Sequence, residues 1–402
     1  MTEKNRPAHY RHSLKKSLQN AAGTVSCLFC LAALVWVAMN VHPGSSVAAS
    51  ELASTQKANI ASRLDAFAGN TRSDMLSDLV YIKKVYRIPE ENRVAPAPDP
   101  MCFGSTYDPK DILEVITQAR ASYLLEGQDV IFDPNADFVK NTPMHWYCDE
   151  SLLVICWKEM LEGRVCSCCE VKVADASQFR RKLCEDTYGS LTKAYATELA
   201  AQVNAVAAVN ADLYIQRDLG VTVYDRQVFR FGEWMYTGAY NQYNAVDNLF
   251  VDASGNFHFM HMGEQATKEG VQKYVDDNDI LFSIAFGPLL VEDYELKHID
   301  WYPVGEINEE YSRAGIAQFD DLHYFYMTVS HSEQYTPRCN INEFAALMHS
   351  KGVKHAYALD GGQTGELVFD GEPYNHIDFG SERTVSDILY FASALEYTEV
   401  IG

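Results

Sequence analysis

The chain has 402 residues, of which 47% are hydrophobic, 12% aromatic and 22% charged, proportions that exclude a disordered, collagenous or low-complexity protein and require a sizeable buried core. Its net charge is −22 with no compensating basic stripe, so phosphate repulsion excludes a nucleic-acid binder. A single long apolar run excludes a polytopic membrane protein.

In chain order, residues 1–20 form a basic cytoplasmic tail in which Lys4, Arg6, Arg11, Lys15 and Lys16 oppose only Glu3. Residues 21–41 (AAGTVSCLFCLAALVWVAMNV) carry no charge and, at about 1.5 Å per residue, are long enough to cross a hydrocarbon core of about 30 Å. The basic flank places the N-terminus in the cytoplasm, which reads as a single-pass protein of the cell membrane with an extracytoplasmic body. The alternative is a signal peptide cleaved after Val47-Ala48-Ala49, and in both readings the body is exported. From Glu51 to Arg87 the apolar residues Leu52, Ile60, Leu64, Phe67, Met75, Leu79, Ile82 and Tyr86 recur at helical spacing, predicting an amphipathic stalk open to self-association. Pro89, Pro96, Pro98 and Pro100 then make a stiff linker and a domain boundary, closing a stalk-and-linker region over 51–100.

Residues 101–144 read as an accessory segment, with Asp108-Pro109 opening a helix through Leu125 by cap chemistry. The main domain is expected over 145–402. Leu152–Glu159 and Arg164–Ala174 predict a hairpin, as do Asn248–Val251 with Phe257–Met260 and Ala314–Phe319 with His323–Ser330. Helices are predicted over Leu191–Asn204, from Asn340 to Ser350 with Glu343 completing a capping box and Gly352 as the stop, and over Thr384–Leu395. Strands are predicted over Ala205–Val209 and Ala356–Leu359. Together these predict an α+β (mixed α/β) body of mixed β-sheets with flanking helices, preceded by a transmembrane helix and a stalk.

Eight of the ten cysteines lie beyond the apolar run, an even number that permits disulfides in an exported chain. With Glu162-Gly163 as a two-residue turn, Cys156 falls opposite Cys169 within disulfide reach; a pair of reduced core thiols is the other reading. Cys166-Ser167-Cys168-Cys169 lacks a second half-site at zinc spacing, so no metal ligand is assigned. No cofactor is called for, and a divalent cation stays open.

Three polar groups stand where apolar strands end, the usual place for functional side chains. They are Asn210 and Asp212 after AVAAV, Arg313 before AGIAQF, and Asp360 running into Gly361-Gly362-Gln363-Thr364. Paired glycines let a ligand approach the backbone closely. His331 is a further polar candidate. Each also has a purely structural reading: a turn aspartate, a satisfied buried amide, and a surface ion pair of Arg313 with Glu306, Glu309 or Glu310.

The ordered blocks VNADLY, AFGPLLV, SRAGIAQF and INEFAALMHSKGVKHAYALDGGQT resemble the phosphodiester glycosidase family, over roughly His145 to the C-terminus. The resemblance implies a site built from Asn210, Asp212, Gly287 with Pro288, Arg313, Asp360, Gly361, Gly362 and Thr364. Ala211 stands where the family usually has glycine, Gln363-Thr364 replace Gly-Ser, and Ser330-His331 replace a frequent Val-Asp-Gly. The block FRRKLCEDTYGS, with Arg180, Arg181 and Lys182, looks like the bacterial exported subgroup, which implies cell-envelope or exopolysaccharide glycans as substrate.

The implied reaction breaks the sugar C–O bond of a sugar-1-phosphodiester and releases a phosphate monoester. That leaving group needs a cation more than a strong acid, which suits the fork of Arg313, with the Gly361 and Gly362 amides assisting. A carboxylate facing the anomeric carbon, Asp360 first and Asp212 second, activates water or attacks directly, with Asn210 and Thr364 orienting. The alternatives are a glycan-binding module without catalysis and a P–O-cleaving phosphodiesterase.

Overall fold

The computed structural model describes residues 94–127, 129–136, 138–212, 220–231, 246–264, 266–303, 307–330 and 337–395, with the short strand Tyr86–Arg87. All of them belong to one compact unit, Val80–Gly402. The apolar run 21–41, nearly all of the expected stalk, and His331 lie outside the described residues. Among the described residues no helix is long and apolar enough to cross a membrane.

Strand β1 (Tyr86–Arg87), at the end of the expected stalk helix, pairs with β7 (Thr187–Tyr188) instead. The proline-rich linker is docked rather than free: Ala95 is buried, its amide donates to the Val203 carbonyl at 3.3 Å, and its carbonyl accepts from Asn204 Nδ2 at 2.8 Å. Strand β2 (Phe103–Thr106), helix α1 (Pro109–Ala121) and β3 (Met144–Cys148) follow. Because β2 and β3 are neighbours in the large sheet, residues 101–144 are built into the main body.

Strands β4 (Leu152–Leu161) and β5 (Arg164–Val173) form the expected hairpin. Its turn residues Glu162 and Gly163 both have positive φ, the twist that suits a two-residue hairpin loop. Cys156 and Cys169 are register partners, yet both are thiols, and burial pushes the Cys156 thiol well above its ordinary range. Next come β6 (Phe179–Leu183), α2 (Ala196–Gln202), β8 (Ala207–Asn210), β9 (Val221–Tyr224), β10 (Gln227–Phe231) and the hairpin β11 (Asn248–Asp252) with β12 (Phe257–Met260). Helix α3 (Lys268–Asp277), β13 (Ile280–Ile284), β14 (Leu289–Glu292) and β15 (Glu295–Leu296) lead to the hairpin β16 (Arg313–Asp320) with β17 (His323–Val329). The chain then makes α4 (Ile341–His349), β18 (His355–Leu359), β19 (Leu367–Phe369), β20 (Glu372–Pro373) and β21 (Asp387–Phe391).

The body is mostly β with few helices. Its larger sheets are a nine-stranded one, β15-β14-β18-β16-β17-β5-β4-β3-β2, and two of five strands, β20-β19-β8-β21-β6 and β10-β9-β13-β11-β12, with antiparallel pairing between all neighbours. The nine-stranded sheet is buried on both faces, and strand alternation decides which core each side chain enters. Leu153, Ile155, Phe325, Met327 and Ala358 face the core under α1 and α4, while Leu152, Val154, Tyr324, Tyr326 and Leu359 face the core shared with the other sheets.

The expected C-terminal helix Thr384–Leu395 is instead strand β21, inserted between β8 and β6. Leu389 and Phe391 enter one core and Ile388 and Tyr390 the other. Such a run shows no period to separate strand from buried helix.

Candidate active site

Strand β18 lies between β14 and β16 and delivers Asp360, half-buried, just past its end. The turn that follows is pressed against the start of β16. A Cβ on Gly361 would stand 2.4 Å from the Ser312 carbonyl oxygen, and Gly362 has φ +61, so the turn depends on the absence of side chains there. The Gly362 amide donates to the Ser312 carbonyl at 2.8 Å, and Thr364 Oγ1 donates to the Gly361 carbonyl at 2.7 Å. This corrects one expectation: the Gly362 amide is engaged in holding the two segments together and does not serve a leaving group.

Asn210, at the end of β8, is the second brace. Its Nδ2 donates to the Asp360 carbonyl at 2.6 Å, while its Oδ1 accepts from the Glu366 amide and the Tyr326 hydroxyl, each at 3.2 Å. The buried amide is satisfied at both ends and fixes the Asp360 turn to the neighbouring sheet.

Arg313 opens β16 two strand-widths from β14. Its Nε donates to the Cys339 carbonyl at 3.2 Å and its Nη2 to the Glu309 carbonyl at 2.8 Å, and the Tyr311 ring centroid lies 5.6 Å from the guanidinium. These contacts orient the planar fork, which Lys would not reproduce. Gly287 pairs with β18 from the other side, its amide donating to the Ala358 carbonyl at 3.2 Å. A Cβ on Gly287 would stand 2.1 Å from the Tyr302 hydroxyl, which itself donates to Phe286 O at 2.9 Å. The three blocks converge on a cavity of about 180 Å³ whose wall includes Gly287, Tyr311, Ser312, Arg313, Asp360 and Gly361.

Asp212 is placed differently. It is buried, its Oδ2 accepts from the Ala285 amide at 3.1 Å and lies 3.7 Å from Arg181 Nη2, and it is not on that cavity's wall. Arg181 reaches Asp387 Oδ2 through Nε and Nη2, both at 2.6 Å, and Asp387 Oδ1 accepts the Asp212 amide at 3.2 Å. Burial pushes Asp387 up to about 6; Arg181 opposes that rise and Asp212 adds to it. Asp387 carries no sequence signal of its own, and Arg181, named only within the basic run Arg180-Arg181-Lys182, is the member of that run that this acidic pair holds. Thr364 and Asn210 lie behind the wall as turn and strand braces. Among the described residues no group of three or more His, Cys, Asp or Glu is arranged to hold a metal.

The chain is 29% identical over 119 residues to the SPbeta prophage-derived uncharacterized protein YomE of Bacillus subtilis (strain 168), a stretch covering 28% of this chain and 18% of that protein, so the chain spans about a fifth of the curated relative it matches. Among solved structures, it is similar to the zebrafish N-acetylglucosamine-1-phosphodiester alpha-N-acetylglucosaminidase catalytic domain auto-inhibited by pro-peptide, at 14% identity and TM-score 0.45, covering 60% of this chain and 83% of that one. It is also similar to a hypothetical protein from Synechocystis, at 13% identity and TM-score 0.43, covering 63% and 64%. The phosphodiester glycosidase family profile matches residues 203–392. Every residue lining the cavity lies inside that span, so the cavity falls within the part of the chain that matches the phosphodiester glycosidase family.

Proposed function

We propose that this chain is a hydrolase that cleaves the sugar C–O bond of a glycosyl phosphodiester. The observation that carries the reading is the convergence of Asp360 and Arg313 on the wall of one cavity from separate strands. Arg313 grips the phosphate oxygens as charge grows on the departing group. Asp360 faces the anomeric carbon, where it activates water or attacks it. One water is consumed: its oxygen ends on the sugar, and its proton balance closes on the phosphate monoester. Asn210 holds the Asp360 turn. Gly287, Gly361, Gly362 and Thr364 shape the approach to it, and Asp212 acts from behind the wall through the Arg181–Asp387 network. His331 completes the sugar contacts in this reading.

The charge-free run 21–41 after a basic tail supports membrane anchoring with the body outside, and hence a cell-envelope or exopolysaccharide glycan as substrate. The apolar spacing of the following segment supports self-association of a stalk.

The test is turnover of sugar-1-phosphodiesters by the full chain in ¹⁸O-labelled water. Label in the released sugar is the expected result. Label in the phosphate overturns the reading in favour of P–O cleavage, and saturable binding without release overturns it in favour of a glycan-binding module.

A further inference from the structure

Glu366 lies between the Asp360 turn and β19 with 0% of its surface exposed, and neither of its carboxyl oxygens has a hydrogen-bond donor. The neighbouring side chain that acts on it is another acceptor, the carboxyl of Glu382. Glu382 sits on the loop after the short 3-10 turn Asp378–Gly380 and is already held from the other side. Thr197 on α2 donates to it through Oγ1 at 2.8 and 3.0 Å and through its amide at 3.3 Å. The other titratable neighbour, the Tyr326 hydroxyl, donates to the Glu366 main-chain carbonyl at 3.2 Å and not to its carboxyl. A fully buried carboxylate beside a second, half-buried one loses its hydration and is repelled, and one proton between them turns the contact into a hydrogen bond.

We propose that Glu366 is held as a neutral acid whose proton is donated to Glu382, and that this hydrogen bond is a clasp fastening the 376–383 loop over the Asp360 turn. Burial first, and Glu382 second, push Glu366 up to about 9, so the proton is present at neutral pH. What the clasp fastens is the wall of the cavity. On the same loop, the Ser381 carbonyl accepts from Gln363 Nε2 at 3.0 Å, and Asp378 accepts from Ser312 Oγ at 2.8 Å while lying 3.4 Å from Arg338 Nη2. Ser312 is the cavity-wall residue next to Arg313. Glu366 is thus a positioning residue acting through Glu382 and Asp378, whichever bond the cavity breaks. Above its midpoint the proton leaves to solvent, the carboxylates repel, and the loop is released.

The experiment uses the full chain labelled with ¹³C at glutamate Cδ, titrated by NMR and paired with hydrogen exchange at pH 7. One carboxyl resonance is expected to titrate near pH 9 and to be missing from Glu366→Gln. If every glutamate carboxyl titrates below pH 6, or the high-titrating resonance survives in Glu366→Gln, the neutral acid is overturned. Glu382→Gln offers Glu366 a donor and is expected to lower its midpoint by more than one pH unit; an unchanged midpoint overturns the pairing. Amides of the 377–385 segment are expected to exchange at least about tenfold faster in Glu366→Ala and at the wild-type rate in Glu366→Gln, whose amide still donates to Glu382. Wild-type exchange in Glu366→Ala overturns the clasp.

Discussion

Gly361 carries more of the site's geometry than its size suggests, because its missing side chain lets the Asp360 turn lie against Ser312 and so brings Asp360 and Arg313 to one cavity. Gly361→Ala is expected to lower both turnover and melting temperature, since the added methyl meets a main-chain oxygen that cannot swing aside. Asp360→Asn is expected to leave the circular dichroism spectrum unchanged and lower turnover by about 10²–10⁴-fold, the usual contribution of a positioned acid or base. Truncating Arg181 to Met leaves Asp212 and Asp387 buried without their shared cation and is expected to destabilise the fold by about 3–5 kcal/mol in urea unfolding. Among the described carboxyls, Glu366 contributes a pH dependence that reaches furthest into the alkaline range. Its folded value of about 9 lies above the ordinary carboxyl range, so its contribution to stability is full below about pH 4, falls as pH rises through that window, and levels off above about 9. Glu366→Gln is therefore expected to flatten the pH dependence of unfolding between pH 5 and 9 and to gain most on wild type at the alkaline end. Asp360 and Arg313 were legible because they punctuate apolar strands. Glu366, Glu382 and Asp387 were not, because their chemistry comes from what buries and faces them.

Helix α4 shows how far local rules reach. Asn340 Oδ1 accepts the Glu343 amide at 2.9 Å and Glu343 Oε2 accepts the Asn340 amide at 2.9 Å, the reciprocal cap that the spacing predicted. Glu343 also holds Arg164 at 2.8 Å, so its carboxyl is a structural group on both counts. Asn340→Ala is expected to cost about 1 kcal/mol of stability and to disturb the cavity slightly, because Ile341 at the start of the helix is on its wall. The three expected hairpins were legible for the same reason, since turn chemistry and alternation are short-range. The predicted helix over Leu191–Asn204 contracts to Ala196–Gln202, leaving Leu191 exposed in the preceding segment. Strand β21 was misread because both of its faces are buried, which erases the alternation that identifies a strand.

At the scale of the molecule the site depends on pairing between distant segments. Strand β21, from the C-terminal end, is the middle partner of β8 and β6, so a chain stopped at Ser386 is expected to lose cooperative unfolding altogether by calorimetry. Asn210 and Asp360 are 150 residues apart in sequence and joined by one hydrogen bond, and the cavity draws its wall from blocks around residues 287, 313 and 361. Composition, local caps, turns and strand ends were determined by the sequence alone, because each rests on residues within one turn of helix or one hairpin. Tertiary structure alone decided which strand ends meet, which acids are buried, and that Asp212 stands behind the cavity wall with Arg181. Those outcomes depend on the order in which strands pair across the sheets and on the loss of water that pairing brings, and neither quantity is carried by any short stretch of chain.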